Sequence, residues 1–173
     1  MRQVTIITTG GTIEKTFNER SGALENTRSM VHRMLRRLRL EETRVNVVEL
    51  MSKDSLLMTD DDRTRIAEAV HACGGGHELS TEASGIVVLH GTDTLNLTGE
   101  ALVRRFPAPR VPIVLSGAMR PYEVTRSDAL QNLTEAIFAT GVLGPGVYCV
   151  AHGRALAFPG VVKDREAGTF VRR

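Results

Sequence analysis

Four short segments of the chain gather hydroxyls and charged groups beside glycines or a strand end. They are Thr8-Thr9-Gly10-Gly11-Thr12, Met51-Ser52-Lys53-Asp54-Ser55, His90-Gly91-Thr92-Asp93-Thr94 and Ser116-Gly117-Ala118-Met119-Arg120-Pro121. Glycine lets the backbone approach a ligand closely. Thr, Ser and Asp supply nucleophiles, proton carriers and hydrogen-bonding groups. A threonine hydroxyl is a weak nucleophile at neutral pH and needs a nearby base or a lowered pKa. A lysine held neutral by burial or a hydrogen-bond network can meet that need, if a carboxylate orients the group. The candidate is Lys163, in Phe158-Pro159-Gly160-Val161-Val162-Lys163-Asp164. The competing reading of any one segment is a helix cap. Several such segments at adjacent strand ends exceed what capping requires.

Other chemistries find no pattern. The chain has no G-x-x-x-x-G-K-[ST] phosphate loop, no G-x-G-x-x-G after a strand and no G-x-S-x-G elbow. His71, Cys73 and His77 lie close together but flank a glycine run without a further ligand at recognisable spacing, so no metal and no cofactor are expected. Arg33, Arg36, Arg37 and Arg39 read as the solvated face of a helix, since no aromatics interleave with them. With 22 basic against 20 acidic residues and a net charge of +2, a dedicated nucleic-acid partner is not expected. Val4 to Ile7 is too short for a signal peptide or a membrane span. Two distant cysteines fit a reducing, cytoplasmic compartment better than a disulfide framework.

These residues need a frame to hold them. Val4–Thr8, Val45–Leu50, Ile86–Leu89, Val111–Leu115 and Gly146–Ala151 read as strands, each a nearly continuous apolar run. Helices are expected at Met30–Leu38, from the N-cap Thr59 to Cys73, over 95–106, and from about Ser127 to Thr140. Residues 16–27 read as a loop or mobile hairpin, and the residues after Ala151 as a tail. Strands alternating with helices predict an α/β fold of three layers, a mostly parallel sheet covered on both faces. At 173 residues, one domain spanning 1–173 is expected. Ligands of such sheets bind beyond the carboxyl ends of the strands.

Thr9-Gly10-Gly11-Thr12-Ile13 and His90-Gly91-Thr92-Asp93-Thr94 resemble the two signature motifs of the bacterial-type L-asparaginase/glutaminase family, in order and separation. Gly117-Ala118-Met119-Arg120-Pro121 resembles a third stretch of that family. The resemblance covers the family's N-terminal domain, as in a short-chain, single-domain member. It implies hydrolysis of the side-chain amide of an amino-acid amide such as L-asparagine. Thr12 matches the nucleophile, and Thr92, Asp93 and Lys163 match a supporting constellation. Ser52 matches the serine that holds the substrate α-carboxylate, with Lys53 beside it, and Asp93 also matches the carboxylate that holds the α-ammonium. The Ala118 carbonyl would receive the side-chain amide, Gly11 and Gly91 would join the substrate-binding residues, and backbone N–H groups near Gly11 and Thr92 would face the developing oxyanion.

Three features depart from the family pattern. No tyrosine occurs between Ile13 and Met51, and Phe17 is the nearest aromatic to the nucleophile. Lys53 follows the serine where long members have glutamine. The family's second domain, which lends a glutamate to the neighbouring subunit's site, is expected to have no counterpart here. A homodimer or higher homo-oligomer is therefore expected to close the site, with Glu25, Tyr122 or Glu123 as replacement polar groups. Asparagine and glutamine differ by one methylene, worth only about 1–3 kcal/mol in a pocket, so both remain open as substrates. A broader amidase and a catalytically weak amino-acid-binding protein remain open as well.

Overall fold

The computed structural model describes residues 1–76 and 83–173. The N-terminal β-branched run forms β1 (Arg2–Gly10), and the polar stretch after it folds into a small hairpin of β2 (Thr16–Asn18) and β3 (Ala23–Glu25). A short helix α1 (Val31–Leu35) leads to β4 (Thr43–Lys53) and α2 (Asp60–Val70). Strand β5 (Gly85–Leu89), helix α3 (Leu95–Arg105), strand β6 (Pro112–Ser116) and helix α4 (Ala129–Val142) follow. The chain continues as β7 (Gly146–Ala151), β8 (Arg154–Ala157), β9 (Val161–Asp164) and β10 (Thr169–Arg172).

The main sheet has the order β4-β1-β5-β6-β7-β8. Its first five strands pair in parallel, and β8 closes the edge antiparallel to β7. Alternate side chains of each strand face opposite layers. Ile86, Val88, Ile113 and Leu115 pack with Ile66 and Val70 of α2 and Leu95 and Leu102 of α3. Val87, Leu89 and Val114 pack on the other face with Val31 and Met34 of α1 and Leu133 and Ile137 of α4. The expected three-layer, mostly parallel architecture is present.

The strand order reverses between β1 and β5: from β1 the chain first reaches β4 on one side, then β5 on the other. That crevice is where open α/β sheets bind ligands, and it is flanked by Gly10-Gly11-Thr12 and His90-Gly91-Thr92.

Three local readings change. The arginine-rich helix is shorter than its apolar spacing suggested, ending at Leu35. Strand β4 runs to Lys53, three residues past its expected end at Leu50. The region after Ala151 is no tail: Val161 and Phe170 of the β9–β10 hairpin are buried against the α2–α3 face. Thr59 caps α2 as expected, in a reciprocal capping box with Asp62. Among the described residues, no helix is long and apolar enough to cross a membrane. His77 lies outside the described residues, and no group of His, Cys, Asp and Glu among them could hold a metal ion.

Candidate active site

Gly10 and Gly11 turn the chain sharply at the end of β1, with φ of +97° and +78°. A β-carbon on Gly11 would lie 2.4 Å from both Cα and N of Gly91, so the β1 loop rests directly on the β5 loop. The Gly11 N–H donates to the Lys53 carbonyl at 2.8 Å, tying the same turn to β4. A β-carbon on Gly117 would lie 2.3 Å from the His90 carbonyl oxygen and 3.2 Å from Thr92 Cγ2. Glycine is thus required where three strand-end loops converge. Half-buried Thr12 and buried Thr92 sit on two of these loops, and buried Ala118 sits on the third.

His90 sets the local hydrogen bonding. Its Nδ1 lies 2.8 Å from the Gly91 carbonyl, which can only accept, so Nδ1 carries the proton. Nε2 then accepts from Thr98 Oγ1 at 2.8 Å. Complete burial lowers the His90 pKa to about 4, against the opposing pull of the Gly91 carbonyl. The ring is neutral at pH 7 and ties the Gly91 carbonyl to Thr98 of α3.

Thr92 and Asp93 lie just before α3, where the helix N-terminus favours negative charge. Lys163 reaches them from β9. Val161, two residues earlier on the same face, is buried, and the Gly160 N–H donates to Glu100 Oε1 of α3 at 2.8 Å. These contacts seat the hairpin so that Lys163 Nζ donates to Thr92 Oγ1 at 2.8 Å and to Asp93 Oδ1 at 2.9 Å. Partial burial of Asp93 would raise its pKa. The bonds and charges of Lys163 and Arg165 outweigh that effect and hold the carboxyl below its ordinary range. Because Nζ donates to Thr92 Oγ1, the threonine's own hydrogen is left for a further acceptor.

Residues 3–167 match the family described as Asparaginase, N-terminal. The chain belongs to the asparaginase family. An L-asparaginase of Thermococcus kodakarensis is 31% identical over 143 residues, 83% of this chain and 42% of that protein. A glutamyl-tRNA(Gln) amidotransferase component from Thermoplasma acidophilum is 32% identical over 140 residues, 81% of this chain and 33% of that protein. The solved structure of the thermostable L-asparaginase from T. kodakarensis superposes with a TM-score of 0.85 at 28% identity, over 98% of this chain and 51% of that one. The chain spans about half or less of the length of these relatives.

In this asparaginase-family chain, two expected binding residues stand elsewhere. Ser52 is exposed, because β4 extends through it. The serine brought to the crevice is Ser55: it is buried, and a β-carbon on Gly91 would lie 2.5 Å from its Oγ. Thr94 Oγ1 donates to the Ser55 carbonyl at 2.9 Å, fixing that loop to the start of α3. Lys53 turns to α2, where its ammonium binds Asp62 at 2.7 Å. That hydrogen bond, with the Thr59 N–H, lowers the buried Asp62 carboxyl to about 2.

The Gly117–Pro121 loop is held by Asp128, which accepts from the Met119 and Arg120 N–H groups at 2.9 and 3.0 Å. His152 Nε2 lies 2.7 Å from the same carboxylate, and Asn132 Nδ2 donates both to it and to the Gly117 carbonyl. Asp128, Asn132 and His152 were not among the expected site residues, and no strand-end motif marks them.

The three candidate replacement groups are already engaged. Glu25 binds Asn18 and Ser21 within the β2–β3 hairpin. Glu123 accepts from the Phe17 N–H at 3.3 Å, and the Tyr122 hydroxyl accepts from Arg37 at 3.3 Å. Glu14, two residues beyond Thr12, is buried and had no expected role. It accepts from the Gly10 N–H at 3.1 Å and also bonds Ser29 Oγ, linking the β1 turn to the segment before α1.

Proposed function

We propose that the chain hydrolyses the side-chain amide of L-asparagine to L-aspartate and ammonia, with Thr12 as nucleophile and no cofactor. The Thr12 hydroxyl adds to the amide carbon, its proton passes to the amide nitrogen, and the C–N bond breaks as ammonia leaves. Water then cleaves the resulting threonine ester. Backbone N–H groups of the Gly11 and Gly91–Thr92 loops are the candidate donors to the developing oxyanion. The observation that carries the proposal is the Lys163 ammonium bridging Thr92 and Asp93 beside the Gly11–Gly91 contact. That bridge leaves the Thr92 hydroxyl hydrogen to be donated, in this proposal toward the departing amide nitrogen. Ser55 takes the α-carboxylate role in this proposal in place of Ser52, and Asp93 faces the α-nitrogen. The Ala118 carbonyl accepts from the side-chain amide. A second copy of the chain closing over this edge belongs to the same proposal, and sedimentation at micromolar concentration tests it.

The test of the reaction is ammonia release from L-asparagine by the purified chain against a Thr12→Ala control. Activity well above the control supports the proposal, and equal rates refute it. The similarity to an amidotransferase component favours a second reading, in which the same chemistry acts on glutamine and supplies ammonia. Running asparagine and glutamine side by side separates the two. Calorimetric binding of aspartate without turnover of either amide would leave an amino-acid-binding protein.

A further inference from the structure

The Asp93 carboxylate is shared in a way that bears on substrate choice. Its Oδ1 accepts from Lys163 Nζ at 2.9 Å and lies 2.8 Å from Arg165 Nη1. Asp93 and Lys163 are largely enclosed, with 26% and 16% of their side chains exposed, whereas the Arg165 side chain is 69% exposed. Two cations therefore converge on one carboxylate, and this cluster carries a net charge of +1 before any substrate arrives. Of the neighbouring charges, Lys53 is paired with Asp62, and Asp54 with Lys15 at 2.7 Å. Neither pair supplies a spare carboxylate.

A free amino acid brings a third cation to this spot. Its α-ammonium must displace Arg165 from Asp93 Oδ1 or bind beside two like charges. A substrate whose α-nitrogen is acylated avoids both costs. Its amide nitrogen is neutral, and its acyl oxygen can accept a hydrogen bond from the guanidinium fork, which offers five donors and accepts none.

Resting on the proposed amidohydrolase reading, we propose that Arg165 is a specificity-determining residue. It occupies the α-nitrogen site at Asp93 and turns the enzyme toward side-chain amides of asparagine whose α-nitrogen is acylated, as in a blocked or peptide-borne asparagine, over the free amino acid. Arg165 lies on the surface rather than at the reacting atoms, so it acts on binding, and its effect falls on KM more than on kcat.

The experiment compares L-asparagine with Nα-acetyl-L-asparagine as substrates of the wild-type chain, Arg165→Ser and Arg165→Lys, with kcat and KM read separately by ammonia release. The wild type should use the acetylated amide at least as efficiently as the free amino acid. Arg165→Ser should shift the kcat/KM ratio toward free asparagine by about fivefold, the scale of an exposed charge pair, mainly through KM. Arg165→Lys, which keeps the charge, should retain most of the wild-type preference. A parallel calorimetric titration with L-aspartate and Nα-acetyl-L-aspartate reads the same ratio without turnover. If the wild type releases no ammonia from either amide, the catalytic reading fails, and the product titration alone decides the role of Arg165. An unchanged ratio in Arg165→Ser, or no binding of either product to any of the three proteins, overturns the proposal.

Discussion

Glu14 gives the sharpest test of how the β1 turn is built. Its side chain is 1% exposed, and its pKa is raised from an ordinary 4.5 to about 7. Burial is the main cause. Hydrogen bonds from Ser29, Gly10 and Met30 oppose it, and the charge of Glu49 adds to it. In the unfolded chain the carboxyl loses its proton near 4.5, while in the folded chain it keeps that proton until about 7. Between those values the folded state binds more protons, so this group makes stability fall as pH rises. The stability it lends is fully present below 4.5 and gone above about 7. At about 1.4 kcal/mol per pH unit, the gap amounts to about 3 kcal/mol. His90 works the other way. Its folded pKa of about 4 lies below an ordinary 6.5, so its share of stability is lost as pH falls through that range. The two slopes nearly cancel in the wild type between 4.5 and 6.5, which hides both. Glu14→Gln keeps the shape and removes the charge. Its stability relative to wild type should be near zero at pH 4.5 and should climb to about 3 kcal/mol in the variant's favour by pH 8. Urea unfolding of both proteins at several pH values gives that difference directly, and contributions from groups that do not interact with Glu14 drop out of it. A difference that stays constant with pH would refute the assignment of a buried, neutral Glu14.

Lys163→Met should remove the donor to Thr92 and reduce kcat by about 10²–10⁴, the usual range for a proton-transfer group. Steady-state ammonia release checks this, with thermal melting as the control for folding. Gly11→Ala places a β-carbon at φ +78° and 2.4 Å from the Gly91 backbone. It should cost at least about 2 kcal/mol and lower Tm by roughly 4–8 °C in a chain of this size. Differential scanning calorimetry reads the shift, and a Tm within a degree of wild type would show that the loops do not press together.

The layered frame was legible because burial on both faces leaves no room for polar residues in the central strands. Ile86–Leu89 and Val111–Leu115 could hardly be anything but interior strands of a parallel sheet. The N-cap at Thr59 was legible for a local reason as well, and the structure adds the reciprocal bond from Asp62 three residues on. The β8–β10 region was not. Its strands are only four residues long and half-exposed, and Val161 and Phe170 owe their burial to the distant α2–α3 face rather than to any periodic run.

The candidate site divides along the same line. Thr12, Thr92 and Asp93 follow nearly continuous apolar strands, so their position at the sheet's carboxyl edge could be read from the strands alone. The serine could not be placed that way. Ser52 and Ser55 both follow the apolar part of β4, and which one enters the crevice depends on where the strand ends. Pairing continues to Gly10 opposite Lys53, past a register shift after Thr8, so the strand carries Ser52 to the surface and releases the chain in time for Ser55 to meet Gly91. A single residue of strand length reverses a side chain's direction, and that length is decided by the neighbouring β1 turn, whose Gly11 N–H binds the Lys53 carbonyl. The residues that complete the site are thus chosen by contacts between strand ends. The same reasoning explains why Arg165 has no sequence signature: its meaning comes from sharing Asp93 with Lys163 across about seventy residues of chain.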